Sequence, residues 1–441
     1  MTQIYETTAP GLLEARVIAA LREQVGEELA SWAGDDPIPV SEREAKGREL
    51  INTALAARTS AAISAGEPVL DTAAEERVAT SVFDALFGFG GFQPLLDDPD
   101  IENIYANGAD VVFVDTVREK GVRVGPVASS DQELIDMLRM LAARSGSEER
   151  RFDRGSPHLN LALADGSRLF AVMDISERPS ASIRTPPRRL KRTTLSQLAK
   201  LGTCSAELAD QLAAAVRARL NIVIAGGTNA GKTTLLRALA AEIPEHERLI
   251  TIEDTFELNL HKDLESHPNA VALQAREANL EGFGAITQAA CVRMGLRMSP
   301  DRVIVGEVRG DELVPMLNAM SQGNDGSMTT VHANSTAGVF QRFQSYGAQA
   351  PEKLTLEATN LLVAGAVNVI VHVGRDKAGA RFITGVREVT GADGIQVASN
   401  EVYRPDASGR AAFAYGWRAE TVEKLIGAGA DPAGFERGWT K

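Results

Sequence analysis

Residues 223–234 read "VIAGGTNAGKTT", an apolar run that breaks into glycines and ends on Lys-Thr-Thr. The stretch from Gly226 to Thr233 fits the pattern G-x-x-x-x-G-K-[ST], the P-loop. In such a loop, glycines let consecutive backbone N–H groups surround a phosphate, and the next helix points its positive dipole end at the same anion. A β-branched strand precedes the loop, and the helical pattern "TTLLRALAAEI" follows it. The stretch therefore predicts a bound nucleoside triphosphate, which we expect to be ATP.

The side chains of two residues in the loop are expected to contact the nucleotide or its metal ion. We expect Lys232 to reach the β- and γ-phosphates and the Thr233 hydroxyl to ligate Mg²⁺. The predicted nucleotide-binding residues are consecutive: Gly226, Gly227, Thr228, Asn229, Ala230, Gly231, Lys232, Thr233 and Thr234.

Carboxylates follow two apolar strand patterns further along the chain. "LITIED" ends in Glu253 and Asp254, with Glu257 just beyond, and "RVIVGE" ends in Glu307. Ligands collect at the carboxyl ends of parallel strands, and hydrolysis needs a carboxylate to position water and Mg²⁺. We predict these roles for Glu307 and Glu253, and the sequence leaves open which of them is the general base. Asp254 and Glu257 are weaker candidates.

The segment "GNDGSMTTVHAN" (323–334) delivers His332 at the end of another strand pattern. We expect His332 to sense the γ-phosphate. The other histidines show no metal-ligand spacing and are expected to be structural; they are His158, His246, His261, His267 and His372.

The order of patterns along the chain indicates several segments. Residues 1–75 form a polar helical extension, residues 76–185 an α+β domain with a hairpin at Asp165-Gly166, and residues 186–198 a basic, proline-containing linker. From 199 to 441, strands alternate with helices and the tail turns to β segments, which predicts an α/β fold with a mainly parallel sheet. Within the extension, Ser41 and Glu44 have capping-box spacing and predict a helix start there.

Composition limits the classes of function. A length of 441 residues fits two or three domains, and a net charge of −13 argues against coating nucleic acid. Cys204 and Cys291, the two cysteines, cannot form a disulfide framework or a metal knuckle. The start of the chain lacks a signal-peptide pattern, and the apolar stretch 361–371 is far shorter than the roughly 20 residues of a membrane span. We therefore expect a cytoplasmic location.

Four motifs in order, "GGTNAGKTT", "TIEDTFEL", "SPDRVIVGEVRG" and "GNDGSMTTVHAN", resemble the Walker A, Asp, Walker B and His boxes of type II/IV secretion ATPases. With "FGFGGFQPLLDDPDIENIYANG" (87–108), they resemble the CpaF/TadA-like subgroup that assembles Tad pili. The resemblance covers about residues 80–375. It implies a homo-hexameric motor in which nucleotide lies between an N-terminal domain and a RecA-like core. It also implies the roles already given to Lys232, Thr233, Glu253, Glu307 and His332.

Arginines of the N-terminal domain complete the site in this family, and the matching candidates are Arg168 in "DGSRL" and Arg184 in "ASIRTP". An arginine that stabilises the transferring phosphoryl group is worth on the order of 10³–10⁵ in rate. Arg276, Arg302 and Arg309 are lesser candidates. The chain departs from the family pattern at Asn324, where the family has a first histidine, and we expect activity to survive this change.

The sequence thus predicts an ATP hydrolase that drives pilus assembly or protein secretion. Its expected partners are polytopic inner-membrane platform proteins, which would hold it at the membrane, and we expect no direct binding of nucleic acid. The alternative is a nucleic-acid motor, a DNA-transfer ATPase or helicase, which the acidic charge and the 5% aromatic content disfavour. A further alternative is a switch that binds nucleotide and barely hydrolyses it.

Overall fold

The structure is a computed structural model, which describes residues 12–34, 38–144, 151–163, 165–185, 193–276, 278, 283–376 and 379–438. The chain divides into two compact units, Met1–Arg189 and Leu190–Lys441. Most of the predicted linker, residues 186–192, lies outside the described residues. The boundaries of the predicted segments stay a prediction.

The chain begins with helices α1 (Leu12–Ala33), α2 (Val40–Ala65) and α3 (Thr72–Phe87). Each helix turns one apolar face toward the other two, because its apolar residues recur at helical spacing. Leu21 of α1, Ile51 of α2 and Val78 of α3 are buried together in the core that these faces form. The predicted helical extension is therefore a small three-helix arrangement with its own core.

The starts of these helices differ from what the sequence suggests. The predicted boundary at residue 75 lies inside α3, whose N-cap Asp71 accepts a hydrogen bond from the Ala74 N–H. The predicted capping box is wrong. Helix α2 already begins at Val40, so Ser41 lies within its first turn, and no side chain caps this helix start.

The rest of the first unit is an α+β arrangement. Its elements are α4 (Gln93–Asp97), β1 (Ile101–Asn107), β2 (Val112–Thr116), β3 (Val122–Val124), α5 (Asp131–Arg144), β4 (His158–Ala162), β5 (Arg168–Val172) and β6 (Ser180–Arg184). The strands form a 6-stranded sheet in the order β3-β2-β1-β6-β5-β4. Strands β4 and β5 pair as the antiparallel hairpin that the sequence predicts.

The second unit contains the P-loop. Its first elements are α6 (Leu195–Lys200), α7 (Ala206–Arg217), β7 (Ile222–Gly226), α8 (Lys232–Ala240), β8 (Leu249–Glu253), β9 (Ala270–Gln274), α9 (Gln288–Leu296), β10 (Arg302–Val308), α10 (Leu313–Ser321) and β11 (Met328–Val331). Its later elements are α11 (Gly338–Gln349), α12 (Leu356–Ala366), β12 (Val369–Arg375), β13 (Arg381–Ala392), β14 (Val397–Pro405), β15 (Ala411–Phe413) and α13 (Ala419–Gly427).

The strands of this unit form a 9-stranded sheet in the order β15-β14-β13-β12-β7-β11-β10-β8-β9. Pairing is parallel from β12 to β9 and antiparallel from β12 to β15. Residues of β7 alternate between two cores, because successive side chains of a strand point to opposite faces. Ile222 and Ile224 join one core, and Val223 and Ala225 join the other. The predicted α/β fold with a RecA-like P-loop core is confirmed.

The strand order decides where the polar strand ends meet. Strands β7, β11, β10 and β8 are parallel neighbours, so their carboxyl ends lie at one edge of the sheet. Strand β11 lies between β7, which leads into the P-loop, and β10, which carries Glu307. Among the described residues, no helix combines the length and apolar character that crossing a bilayer requires.

Candidate nucleotide-binding and catalytic site

The P-loop connects the end of β7 to the start of α8. Asn229 and Gly231 have left-handed backbone conformations, with φ of 58° and 97°. A Cβ on Gly226 would lie 2.7 Å from the Val373 carbonyl oxygen, so the close approach of β12 requires glycine there. The first N–H groups of a helix have no partners within the helix, and the N-cap of α8 is Gly231, which has no side chain to satisfy them. The loop therefore fits an anion such as a phosphate chain.

The Lys232 side chain lies along the inside of this loop and is buried. Its ammonium donates hydrogen bonds to the carbonyl oxygens of Gly226, at 3.2 Å, and Gly227, at 3.1 Å. Both acceptors are neutral, so phosphate oxygens can replace them with stronger, charge-assisted hydrogen bonds. Gly227 and Thr228 lie exposed at the rim of the loop.

Lys232, Glu307 and His332 come together at the edge of the sheet where β7, β10 and β11 end. The Glu307 Oε1 atom lies 2.8 Å from His332 Nε2 and 3.6 Å from Lys232 Nζ. Lys232 Nζ lies 3.2 Å from His332 Nε2 and 3.4 Å from His332 Nδ1. The carboxylate is also held by Arg309, whose Nε donates to Glu307 Oε2 at 2.7 Å.

The charges around this cluster set its protonation. Burial alone would raise the pKa of Glu307, but Arg309, His332 and Lys232 outweigh it, so the pKa is lower than usual. Burial lowers the pKa of His332, and the attraction of Glu307 only partly opposes this. At neutral pH the site therefore holds an ionised carboxylate beside a neutral imidazole, which donates from one ring nitrogen and accepts at the other.

The acids that follow β8 have different surroundings. Glu253 is 3% exposed, and its Oε1 accepts hydrogen bonds from the backbone N–H groups of Glu257, at 2.8 Å, and Leu258, at 2.9 Å. This carboxylate therefore fixes the turn after the strand. Glu257 accepts a hydrogen bond from the Thr233 hydroxyl at 3.3 Å. The predicted roles of Thr233, Glu253 and Glu307 toward Mg²⁺ stay predictions.

The oxygen donors near the P-loop fit Mg²⁺, which prefers hard oxygen ligands and usually keeps several waters together with substrate phosphates. Thr233 and Glu257 lie on one side, and Glu307 lies next to Lys232. Within the described ranges, no group of three or more His, Cys, Asp and Glu side chains forms a metal site of its own. This donor set suits an ion that arrives with a nucleotide.

Two of the lesser arginine candidates have partners outside the P-loop. Arg302 stands at the amino end of β10, where its Nε and Nη2 donate to Glu247 at 2.6 and 2.8 Å. It is therefore part of a buried ion pair at the edge of the sheet opposite the P-loop. Arg276 Nε donates to the Gly284 carbonyl at 2.9 Å. Asn324 also lies at the opposite edge, because its side chain donates to the carbonyl of residue 300, which precedes β10.

Arg168 and Arg184 lie in the first unit, on β5 and β6. They are direct cross-strand partners in the antiparallel sheet. Side chains of directly opposite residues share one face, so the structure brings the two predicted arginines together. Their approach to a nucleotide stays a prediction.

Two further residues hold the site and carry no motif signal. In the amide orientation that satisfies both groups, Gln288 at the start of α9 donates to the Glu307 carbonyl at 3.2 Å and accepts from the Asp254 N–H at 2.8 Å. Arg381 at the start of β13 donates to the Asn229 carbonyl of the P-loop at 3.1 Å. Only the strand order, which the sequence does not state, brings them to the site.

Comparison with known proteins assigns a family to this arrangement. The family described as "Type II/IV secretion system protein" matches residues 91–413. The chain belongs to this family. Among similar members, a Mycobacterium tuberculosis protein named as a candidate conjugal transfer protein is 35% identical over 316 residues, which are 70% of this chain and 86% of that protein. The type IV secretion system protein VirB11 of Brucella suis is 32% identical over 331 residues, 69% of this chain and 88% of that protein.

Two solved structures are also similar to the present chain. The VirB11 ATPase of Brucella suis, in complex with sulphate, is 31% identical, with a TM-score of 0.36 and coverage of 72% of this chain and 96% of that one. The pilus retraction motor PilT with bound ADP is 17% identical, with a TM-score of 0.47 and coverage of 78% and 98%.

Proposed function

We propose that this protein is an ATP hydrolase that works as a hexameric motor for pilus assembly or protein secretion, of the CpaF/TadA-like kind. One observation carries the proposal: Lys232 of the P-loop, Glu307 and His332 meet within hydrogen-bonding and ion-pairing distance at one edge of a parallel sheet. Membership of the type II/IV secretion family supports the secretion role. The motifs that resemble the Tad pilus subgroup support the pilus role.

The residues divide the work as follows. The N–H groups of the P-loop hold the phosphates, and Lys232 exchanges its bonds to Gly226 and Gly227 for bonds to phosphate oxygens. Glu307, kept ionised by its cationic neighbours, orients the attacking water and accepts its proton. His332 donates a hydrogen bond to Glu307 and also contacts Lys232. It therefore connects the carboxylate with the side chain that would bind the phosphates. Bound Mg²⁺ would neutralise phosphate charge, with Thr233 as the hydroxyl ligand.

Arg168 and Arg184 would supply positive charge from the first unit to the phosphates, within one subunit or across subunits of the hexamer. Two guanidinium groups on one sheet face repel each other, and an anion between them relieves this repulsion. Cleavage of the phosphate would change the attraction between the units, and that change is the proposed source of motion.

The proposed partners are the other copies of the chain in a homo-hexamer and polytopic inner-membrane platform proteins. These partners would keep the motor at the inner face of the membrane. A second candidate function is a motor for DNA transfer, because several similar proteins have conjugal transfer in their names. The net charge of −13 and the aromatic content of 5% disfavour direct DNA binding.

Phosphate release from ATP tests the proposal. Lys232→Ala should abolish turnover, and Glu307→Gln should lower kcat by about 10²–10⁴-fold while ATP remains bound. Lys424→Ala, which removes an exposed lysine of α13, is the matched control and should leave turnover unchanged. Wild-type turnover in Lys232→Ala or Glu307→Gln would refute these roles.

The form of the assembly and the second candidate need separate measurements. Sedimentation of the full chain with ATP should show hexamers, and a monomer at all concentrations would contradict the motor. Binding to a DNA duplex that weakens steeply as salt increases, together with faster hydrolysis, would favour the DNA-transfer motor.

A further inference from the structure

The turn after β11, residues 332–336, carries His332 and is held by side chains at two successive carbonyls. Arg342 Nε donates to the His332 carbonyl at 3.2 Å. The next carbonyl, that of Ala333, lies 3.2 Å from His372 Nε2. His372 belongs to β12, opposite Ala225 of β7. The histidine expected to be structural therefore contacts the backbone next to the predicted sensor.

The hydrogen bonds of His372 determine its tautomer. A carbonyl oxygen only accepts, so Nε2 carries the hydrogen that is donated to Ala333. The other ring nitrogen, Nδ1, lies 2.5 Å from the Thr384 hydroxyl of β13, which donates to it when the ring is neutral. Burial lowers the pKa of His372, more than the Ala333 hydrogen bond raises it, and the charge of Lys232 lowers it further. The ring is thus neutral at neutral pH and fixed on both sides.

We infer that His372 is a positioning residue for ATP hydrolysis: it holds the Ala333 carbonyl and so places the His332 ring against Glu307. This inference rests on the proposed function. The Ala333 carbonyl belongs to the peptide that joins Ala333 to Asn334, and the His332 carbonyl, held by Arg342, belongs to the peptide before it. Holding two successive peptides limits where the backbone can place the His332 imidazole. The 2.8 Å contact between His332 Nε2 and Glu307 Oε1 tolerates little movement, because a hydrogen bond weakens steeply with distance and angle.

The same hairpin also supports the P-loop. Thr384 and Arg381 both belong to β13, and Arg381 donates to the Asn229 carbonyl of the loop at 3.1 Å. The Val373 carbonyl of strand β12 lies close to Gly226 of the same loop. The β12–β13 hairpin therefore contacts both the phosphate-binding loop and the turn that carries His332. His372 contacts the start of that turn, and Arg387 of β13 donates to the Thr336 hydroxyl at its end, at 3.1 Å.

Steady-state ATP hydrolysis by four variants tests the inference. His372→Leu removes the donor and should lower kcat about tenfold while KM for ATP stays within about twofold, as expected for the loss of one positioning hydrogen bond. His372→Gln retains an N–H donor and should recover most of kcat. Thr384→Val should lower kcat about two- to threefold. His267→Leu is the matched control, since His267 is 3% exposed and lies outside the site, and its kcat should match the wild type.

Two readouts do not depend on turnover. In the ¹⁵N-histidine spectrum of the full chain, His372 should be the neutral tautomer with hydrogen on Nε2. Amide exchange of residues 331–336 should be faster in His372→Leu and normal in His372→Gln. Hydrogen on Nδ1, wild-type kcat and exchange in His372→Leu, or equal losses in His372→Gln would overturn the inference. A wild-type protein without ATP hydrolysis refutes the proposed function instead, and the spectrum and the exchange still decide the role of His372.

Discussion

Replacing Arg302 with methionine tests whether this arginine supports the fold rather than the reaction. Arg302 is 0% exposed, and its guanidinium donates to both carboxylate oxygens of Glu247, at 2.6 and 2.8 Å. It also donates to the Val216 carbonyl at 2.8 Å. Arg219 is a second partner of Glu247 at 2.9 Å and is more exposed. The two arginines share one carboxylate, which makes Arg219→Met a matched control.

The expected magnitude follows from what each change leaves behind. Breaking a buried ion pair by removing one partner costs about 3–5 kcal/mol, because the other charge stays buried without compensation. Arg219 remains beside Glu247, so the lower end, about 3 kcal/mol, applies to Arg302→Met. Removing the more exposed Arg219 should cost at most about 1 kcal/mol. For a unit of this size, about 1 kcal/mol shifts Tm by roughly 2–4 °C, so we expect a fall of about 6–12 °C for Arg302→Met.

Scanning calorimetry of the full chain measures these shifts, and ATP identifies the transition of the second unit because a ligand raises the Tm of the unit that binds it. Replacing both Arg302 and Glu247 with methionine should restore much of the loss, since apolar residues often replace a buried pair without cost. Turnover per folded molecule should stay at the wild-type level. An Arg302→Met protein with wild-type Tm and little turnover would refute this reasoning.

Three other predictions concern the site. Arg168→Ala and Arg184→Ala should each lower kcat more than ATP affinity, and equal losses in both quantities would show that these arginines act only in the ground state. Gly226→Ala should lower Tm and ATP affinity, because the new Cβ would lie 2.7 Å from the Val373 carbonyl oxygen; wild-type affinity would contradict this. The pKa of Glu307 in the folded state lies below the usual value of 4.5. The ionised Glu307 carboxylate therefore stabilises the fold at pH values above 4.5, and this stabilisation is lost as the pH falls through the lowered pKa. Tm should therefore fall less on acidification in Glu307→Gln than in the wild type, and parallel curves would contradict the assignment.

The sequence predicts most of the second unit because its signals are local. Apolar runs bounded by glycines and polar residues mark β7, β8 and β10 and their ends. The start of α2 shows how a local signal fails. Ser41 and Glu44 have the right spacing, yet the N-cap is Pro39, two residues before Ser41, and the helix begins at Val40. Pro39 occupies the N-cap position, with φ of −54° and ψ of 141°, so Ser41 is already helical and its side chain does not cap the helix.

Residues whose partners lie far along the chain could not be predicted. Arg381 and the Asn229 carbonyl are 152 positions apart, and His372 and the Ala333 carbonyl are 39 apart. The sequence shows Arg302 at the start of a strand but gives no sign that Glu247 accepts its hydrogen bonds. Such pairings depend on which strands are neighbours, which no short motif encodes.

The place of His332 shows how strand order creates chemistry. Strand β11 follows β10 in the chain, yet it lies between β10 and β7 in the sheet. Because all three strands are parallel, the residues that follow β11 must lie between the P-loop, which follows β7, and Glu307 near the end of β10. A histidine at that point contacts both Lys232 and Glu307, at 3.2 and 2.8 Å. If β11 were at the edge of the sheet, the same His332 would meet at most one of them, so the motif has its function only in this strand order.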